Sequence, residues 1–171
     1  MTIRKIAANE LPHYLESLVH LLQDAVVAGA SVGFLPPLAA NEAQEYWNGV
    51  ADALTTGHRL LWIAEENGRA LGTVQLDLAT KSNGLHRAEV AKLLVHTQAR
   101  RQGIARQLML TLEAEARHLQ RTTLVLDTLL GEPSELLYQQ LGYTAAGAIP
   151  AFARVASGAL EPTVVYYKLL A

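Results

Sequence analysis

The sequence predicts a single mixed α/β domain over residues 1–171, of the α+β kind: a central sheet of about seven strands, largely antiparallel, with helices on both faces. Three observations predict it. Residues Leu93 to Leu119 read strand, short loop, helix, and Leu124-Val125-Leu126-Asp127 follows as a further strand, which makes a βαβ unit with one parallel pair. Ahead of that unit, Asn67-Gly68 and Lys81-Ser82-Asn83-Gly84 separate apolar segments into an antiparallel meander. Two earlier segments carry apolar residues at helical spacing.

Thr2 to Ile6 reads as a first short strand. Asn9 suits a helix cap with Pro12 in the first turn, and Leu15, Leu18, Leu22 and Val26 form the apolar stripe that ends at Gly29. Two glycines and two prolines keep Gly29 to Leu38 out of regular structure. Ser31, Val32 and Phe34 lie in that loop, either packing on the core or covering an acceptor pocket. A second helix runs from about Asn41 to Thr56, with Tyr46 and Trp47 on its apolar face read as core. Leu60 to Glu65 is a strand. The returning strand alternates cleanly, with Gly72, Val74, Leu76 and Leu78 on one face and Thr73, Gln75 and Asp77 on the other. Arg87 to Val95 completes the meander, and a helix from Gly103 to Leu119 crosses to the strand Thr123–Thr128. A fourth helix starts at Gly131-Glu132-Pro133-Ser134 and is capped by Gly142. Thr144–Ile149 and Thr163–Leu169 form a last antiparallel pair, joined by a long connection from Pro150 to Pro162.

Composition excludes several function classes. A net charge of −2 argues against a nucleic-acid-binding domain, which is usually basic. No apolar run approaches the ~18 residues of a membrane span, and no apolar targeting segment follows Met1-Thr2-Ile3-Arg4-Lys5. The chain has no cysteine, hence no disulfide and no thiolate site, which fits a cytoplasmic location. The histidines at 13, 20, 58, 86, 96 and 118 make no metal-ligand pattern, so no metal is expected.

The local chemistry concentrates after Leu93-Leu94-Val95. A helix start offers unpaired N–H groups and a partial positive charge to an anion. Gly103 and Ala105 permit close approach to the backbone, and Arg100, Arg101 and Arg106 add forked donors that match phosphate. Together they read as a pyrophosphate cradle, without the Gly-Lys-Ser/Thr of a P-loop.

Arg100-x-x-Gly103-x-Ala105 after a strand resembles the coenzyme A signature of the GNAT family of N-acetyltransferases. Ser134 to Tyr143, a helix carrying Tyr138 and ending in Leu141-Gly142-Tyr143, is similar to the family's closing signature. Gly29 to Phe34, Asn83 to Val90 and Pro162-Thr163-x-x-Tyr166 further resemble the tabtoxin-resistance acetyltransferases within it. The resemblance implies a strongly bent sheet and acetyl-CoA as the cofactor. It implies backbone bonding of the pantetheine arm by Leu93, Leu94 and Val95. Arg100, Arg101, Gln102, Gly103, Ile104, Ala105 and Arg106 would hold the pyrophosphate. Tyr138 would be the general acid. One departure matters: many members place asparagine seven residues before the tyrosine, where this chain has Gly131.

The implied reaction is direct attack of an amine on the acetyl thioester. A lysine-like amine of pKa ~10.4 costs about 4.6 kcal/mol to deprotonate at pH 7, so a carboxylate base is expected. Glu89, in an otherwise apolar strand, and Asp127, at the end of the βαβ strand, are the candidates. Each has a structural alternative: Glu89 pairing with Lys92 or Arg87, Asp127 bonding backbone N–H groups or capping. The expected function is acetyl-CoA-dependent N-acetylation of a small-molecule amine, such as an antimetabolite or antibiotic. Acetylation of a protein or peptide N-terminus and non-catalytic sensing of acyl-CoA are the alternatives. A homodimer is left open.

Overall fold

A computed structural model describes residues 1–170. Its strands are β1 (Thr2–Ile6), β2 (Arg59–Glu66), β3 (Arg69–Leu78), β4 (Arg87–Val95), β5 (Thr123–Leu129), β6 (Thr144–Arg154) and β7 (Leu160–Leu169). The helices are α1 (Leu11–Val27), α2 (Ala40–Thr55), α3 (Ile104–His118) and α4 (Ser134–Gln140). The seven strands form one sheet in the order β1-β2-β3-β4-β5-β7-β6. Only β4 and β5 pair in parallel; every other neighbour is antiparallel.

Alternation along the strands divides the core in two. Trp62, Val74, Leu76, Ala88, Val90, Leu124 and Leu126 face α3, whose Ile104, Leu108, Met109, Leu112 and Ala116 cover them. Leu61 and Ile63 face the other way, beneath α1 and α2. Gly72 lets α3 sit down on the sheet: a Cβ there would lie 2.9 Å from the Leu94 carbonyl oxygen and 3.2 Å from Ile104 Cγ2.

Two irregularities open the sheet in its middle. The parallel pairing runs only from Arg87↔Thr123 to Glu89↔Val125. Just beyond, Gln75 pairs with Ala91 and Thr73 with Leu94, so Lys92 and Leu93 together oppose Val74. This is a β-bulge, with Lys92 at φ +50° and its carbonyl accepting the Thr73 hydroxyl at 3.0 Å. β4 turns away here, while β5 stays with β7 over seven register pairs. The crevice between β4 and β5 follows.

The structure corrects two expectations. The stretch from Pro150 to Pro162 is not a long connection: β6 continues to Arg154, β7 begins at Leu160, and residues 155–159 turn the chain. Register shifts between Ala145 and Gly147 and between Ile149 and Ala153 hid this strand, and Pro150 is tolerated because β6 is the sheet edge. Asn9 does not cap α1. Glu10 precedes the helix, and its carboxylate reaches back to the Ala7 N–H at 2.9 Å and Arg4 at 3.0 Å. The fourth helix begins at Ser134, at the end of the stretch expected to start it, and the Glu135 carboxylate accepts the Gly131 N–H at 2.6 Å.

Candidate active site

The end of β4 builds the anion cradle. The His96 N–H donates to the Leu71 carbonyl at 2.9 Å, and the Asp24 carboxylate of α1 accepts the Thr97 N–H at 2.8 Å and its hydroxyl at 2.7 Å. The loop is thereby pinned before it turns. Arg101 at φ +62° and Gly103 at φ +78° then reverse the chain into α3. The first bond of the helix is Gln107 N–H to the Gly103 carbonyl at 3.0 Å. Among the described residues, the N–H groups of 101–106 therefore have no protein acceptor. They edge a cavity of about 320 Å³ lined by Val95, by residues 99–101 and 103–106, and by Leu137 and Gln140 of α4. A run of unpaired donors flanked by arginines fits a diphosphate, as coenzyme A requires.

On the face toward α2, charged side chains from four strands stand in a row. Register places Arg59 beside Asp77, and Asp77 beside Glu89. Glu89 pairs with Val125, so alternation puts Asp127 on the same face, beyond it across the crevice. The Arg59 fork clamps Asp77 through Nε–Oδ1 and through Nη2–Oδ2 at 2.7 Å. Asp127 accepts the hydroxyl of buried Thr163 at 3.0 Å. Tyr46 of α2 exchanges hydrogen bonds with buried Gln75 at 2.9 and 3.2 Å. Phe34, from the loop before α2, meets the Tyr46 ring edge-on at 5.5 Å, and Lys92 Nζ lies 5.5 Å from the same ring.

These groups shift one another. Burial, and then the charges of Asp77 and Asp127, push the Glu89 carboxyl above its ordinary value, which makes it a better base. Burial, and then Arg59, pull the Lys92 ammonium down. Tyr138 stands on α4 with its ring buried against Tyr143 and Tyr166 at 5.9 and 6.0 Å. Burial, and then Asp127, push its phenol up to about 12, so it keeps its proton at neutral pH.

A bulged strand end that leads into a run of unpaired N–H groups, beside an opening between strands that holds two carboxylates, suits acyl transfer from coenzyme A. The acetyltransferase (GNAT) family model matches residues 33–143. The chain belongs to the acetyltransferase (GNAT) family. Members of the family use acetyl-CoA to acetylate amines. An N-acetyltransferase of Azospirillum brasilense, encoded between hisH and hisA, is 33% identical over 105 residues, covering 60% of this chain and 61% of that protein. The fold is shared with the ribosomal-protein-alanine N-acetyltransferase of Brucella melitensis (19% identity, TM-score 0.80, 99% of this chain, 100% of that one). It is shared also with yncA of Salmonella typhimurium, solved with its cofactor acetyl-CoA (18%, 0.80, 100% and 94%).

Within this GNAT fold the residues singled out from sequence fall in several places. Val95, Arg100, Arg101, Gly103, Ile104, Ala105 and Arg106 line one cavity. The side chains of Leu93 and Leu94 point elsewhere, Leu93 packing on the α3-side core and Leu94 on the α1–α2 side, which leaves only their backbone for a ligand. Gln102 turns to a separate polar cavity of about 250 Å³ with His20, Arg69 and His96. Glu89 and Asp127 share the acceptor face, and neither forms an ion pair among the described residues. Val32 and Phe34 pack on the α1–α2 core, while Ser31 is exposed.

Sequence reasoning missed Arg59, Asp77, Tyr46 and Lys92 as a connected set. One signal existed: Thr73, Gln75 and Asp77 put three polar side chains on one face of a strand buried in mid-sheet. Trp47 is core as expected, fully buried with its indole N–H donating to the Leu18 carbonyl at 2.9 Å. Tyr46 packs on the same core, half-buried, and its hydroxyl also carries the polar cluster.

Proposed function

We propose that this chain, working as one domain, transfers the acetyl group of acetyl-CoA to the amine of a small molecule. One observation carries the reading. The cradle at the end of β4 and the Glu89–Asp127 pair lie on either side of the point where the β4–β5 pairing stops, and the Asp127 charge acts on Tyr138, which supports their working together.

Bound there, acetyl-CoA supplies an activated acetyl thioester. The chain's own residues do the rest. The N–H groups of 101–106, with Arg101 and Arg106, hold the diphosphate. The β4 backbone beyond the bulge, freed from β5, offers Leu93 to Val95 to the pantetheine arm. Glu89, with its raised pKa, accepts the proton of the acceptor ammonium, directly or through water. Asp127 adds a second carboxylate that attracts the acceptor ammonium and raises the Glu89 pKa, so that Glu89 is the stronger base. Tyr138 Oη donates toward the departing sulfur. With its phenol pushed up to about 12, above the range of ordinary thiols, complete proton transfer is uphill. Tyr138 therefore acts by sharing its proton in a hydrogen bond at the moment of departure.

The loop at residues 28–39 supports a small acceptor. Phe34 closes onto Tyr46 above the polar row, which narrows an approach that a peptide chain would need open. A role in resistance, by acetylating an antimetabolite or antibiotic in the cytoplasm, is consistent with a chamber for a small amine. Free-thiol release from acetyl-CoA tests the reading across small amines, amino acids, β-lactam antimetabolites, aminoglycosides, polyamines and short peptides. Release with a small amine supports it. Release with peptides alone moves the acceptor class to proteins. Coenzyme binding without release on any acceptor leaves an acyl-CoA sensor.

A further inference from the structure

We propose that Lys92 anchors a carboxylate of the acceptor, so that the acceptor is a small amino acid or a close analogue rather than a simple amine. The proposal rests on the acetyl-transfer reading and deepens it.

The geometry of β4 comes first. Glu89 and Ala91 face α2, whereas Val90 faces α3. An unbroken strand would turn Lys92 toward α3. The bulge puts two residues opposite Val74, sets Lys92 at φ +50° and brings its Nζ over the Tyr46 ring on the α2 side. Bulges re-aim side chains in this way beside functional sites. Tyr46 is itself fixed by its bonds to buried Gln75 and by the edge contact with Phe34. A cation has thus been turned into the acceptor chamber and held against an immobile ring.

Charge accounting comes second. The other cation of the row, Arg59, is clamped by Asp77. Asp127 holds the Thr163 hydroxyl. Among the described residues Lys92 has no carboxylate within 4.0 Å, and neither does Glu89 have a cation. Among the described residues this face therefore presents one cation without an ion pair, Lys92, and two such carboxylates, Glu89 and Asp127; Glu89 is three residues from Lys92, or about 10 Å of strand before the bulge shortens it. Long side chains reaching inward bring that span into the range of a small zwitterion. Its amine would meet Glu89 and Asp127, and its carboxylate would meet Lys92. The lowered Lys92 pKa agrees: burial disfavours the ammonium until an anion joins it. The same cation repels an acceptor that carries only positive charge, which makes Lys92 a selector against diamines as well as an anchor.

Matched pairs test this. Each L-amino acid, with ornithine included, is compared with the amine left by removing its carboxylate, using the full chain and thiol release. The wild type should favour at least one amino acid over its amine by about tenfold or more in kcat/KM, as expected for a charge-assisted contact. Lys92→Met should collapse that ratio, chiefly through KM for the amino acid, and Lys92→Arg should restore most of it. A merely structural lysine would lower both members of each pair together, and that result overturns the proposal. So does a wild-type enzyme that takes the amines as well as the amino acids. Turnover of other acceptors with none of these amino acids overturns the proposal while sparing acetyl transfer. Failure to bind acetyl-CoA, read by calorimetry, removes both.

Discussion

The proposed coenzyme cradle and the proposed acceptor chamber are made differently. The cradle is contiguous: residues 95–106 supply its donors largely from the backbone, and two left-handed residues shape it. The chamber takes Tyr46 from α2, Arg59 from β2, Asp77 from β3, Glu89 and Lys92 from β4, and Asp127 from β5. Backbone donors act locally, so losing one neighbouring side chain leaves the others in place. Side-chain charges act on each other, so one change in the chamber moves every pKa nearby. The difference predicts separable defects: chamber variants alter rate and pH profile, while cradle variants alter coenzyme affinity.

Tyr138→Phe is the largest expected chamber effect. Losing the proton that Tyr138 shares with the departing sulfur lowers kcat by about 10²-fold. The ring and its contacts with Tyr143 and Tyr166 survive, so acetyl-CoA should bind within about twofold of the wild type by calorimetry, since hydrogen-bond deletion at a distance from the cradle leaves its donors intact. Loss of coenzyme affinity would erase the division between the two halves.

Glu89 gives the next effect. The active form is the carboxylate, so kcat/KM should rise with pH through the Glu89 pKa, which lies above the ordinary carboxylate range. Glu89→Gln should remove that limb and cost about 10²-fold at neutral pH. Asp77→Asn should shift it instead. The substitution deletes a negative charge that raises the Glu89 pKa and releases the Arg59 guanidinium that lowers it. Both changes have the same sign, so the limb moves to lower pH. A limb that stays put in Asp77→Asn would show that another group is the base.

The same division explains what could be read before the structure. The cradle was legible because Arg100, Gly103 and Ala105 announce it at fixed spacing after an apolar strand. The strand order around β4 and β5 was legible because one helix of 15 residues links them and forces a crossover. The chamber was only half legible. Glu89 and Asp127 stood out as acids in apolar strands, but their company depends on register, which pairs Arg59 with Asp77 and Asp77 with Glu89 across two hairpins. The bulge at Lys92 leaves no mark in an alternation pattern, since it adds one residue to one strand and changes the facing of everything after it. β6 was cut short for a related reason: ten of its eleven residues are exposed, so no buried face fixes a period to read.

Arg106→Ala probes the cradle on its own. The side chain is exposed, so its loss should weaken acetyl-CoA binding by only about threefold to fivefold, more at low salt than at high, with kcat retained. A larger loss would mean that side chains rather than backbone hold the diphosphate.

The smallest effect sharpens the comparison most. Gly103 sits at φ +78°, yet nothing lies within 4 Å of where its Cβ would be. Gly103→Ala therefore meets no neighbour, and its cost is conformational alone, about 1–2 kcal/mol of stability. Gly103→Asn should recover part of that, because asparagine tolerates the left-handed region better than alanine. If the cradle is a backbone device, coenzyme affinity should follow the same order, glycine above asparagine above alanine, as the strained turn relaxes and the N–H groups of 104–106 lose their common aim. Urea melts and calorimetry on the three proteins check both orders. Equal affinity in all three, alongside graded stability, would show that the arginines can hold the diphosphate without a preset backbone.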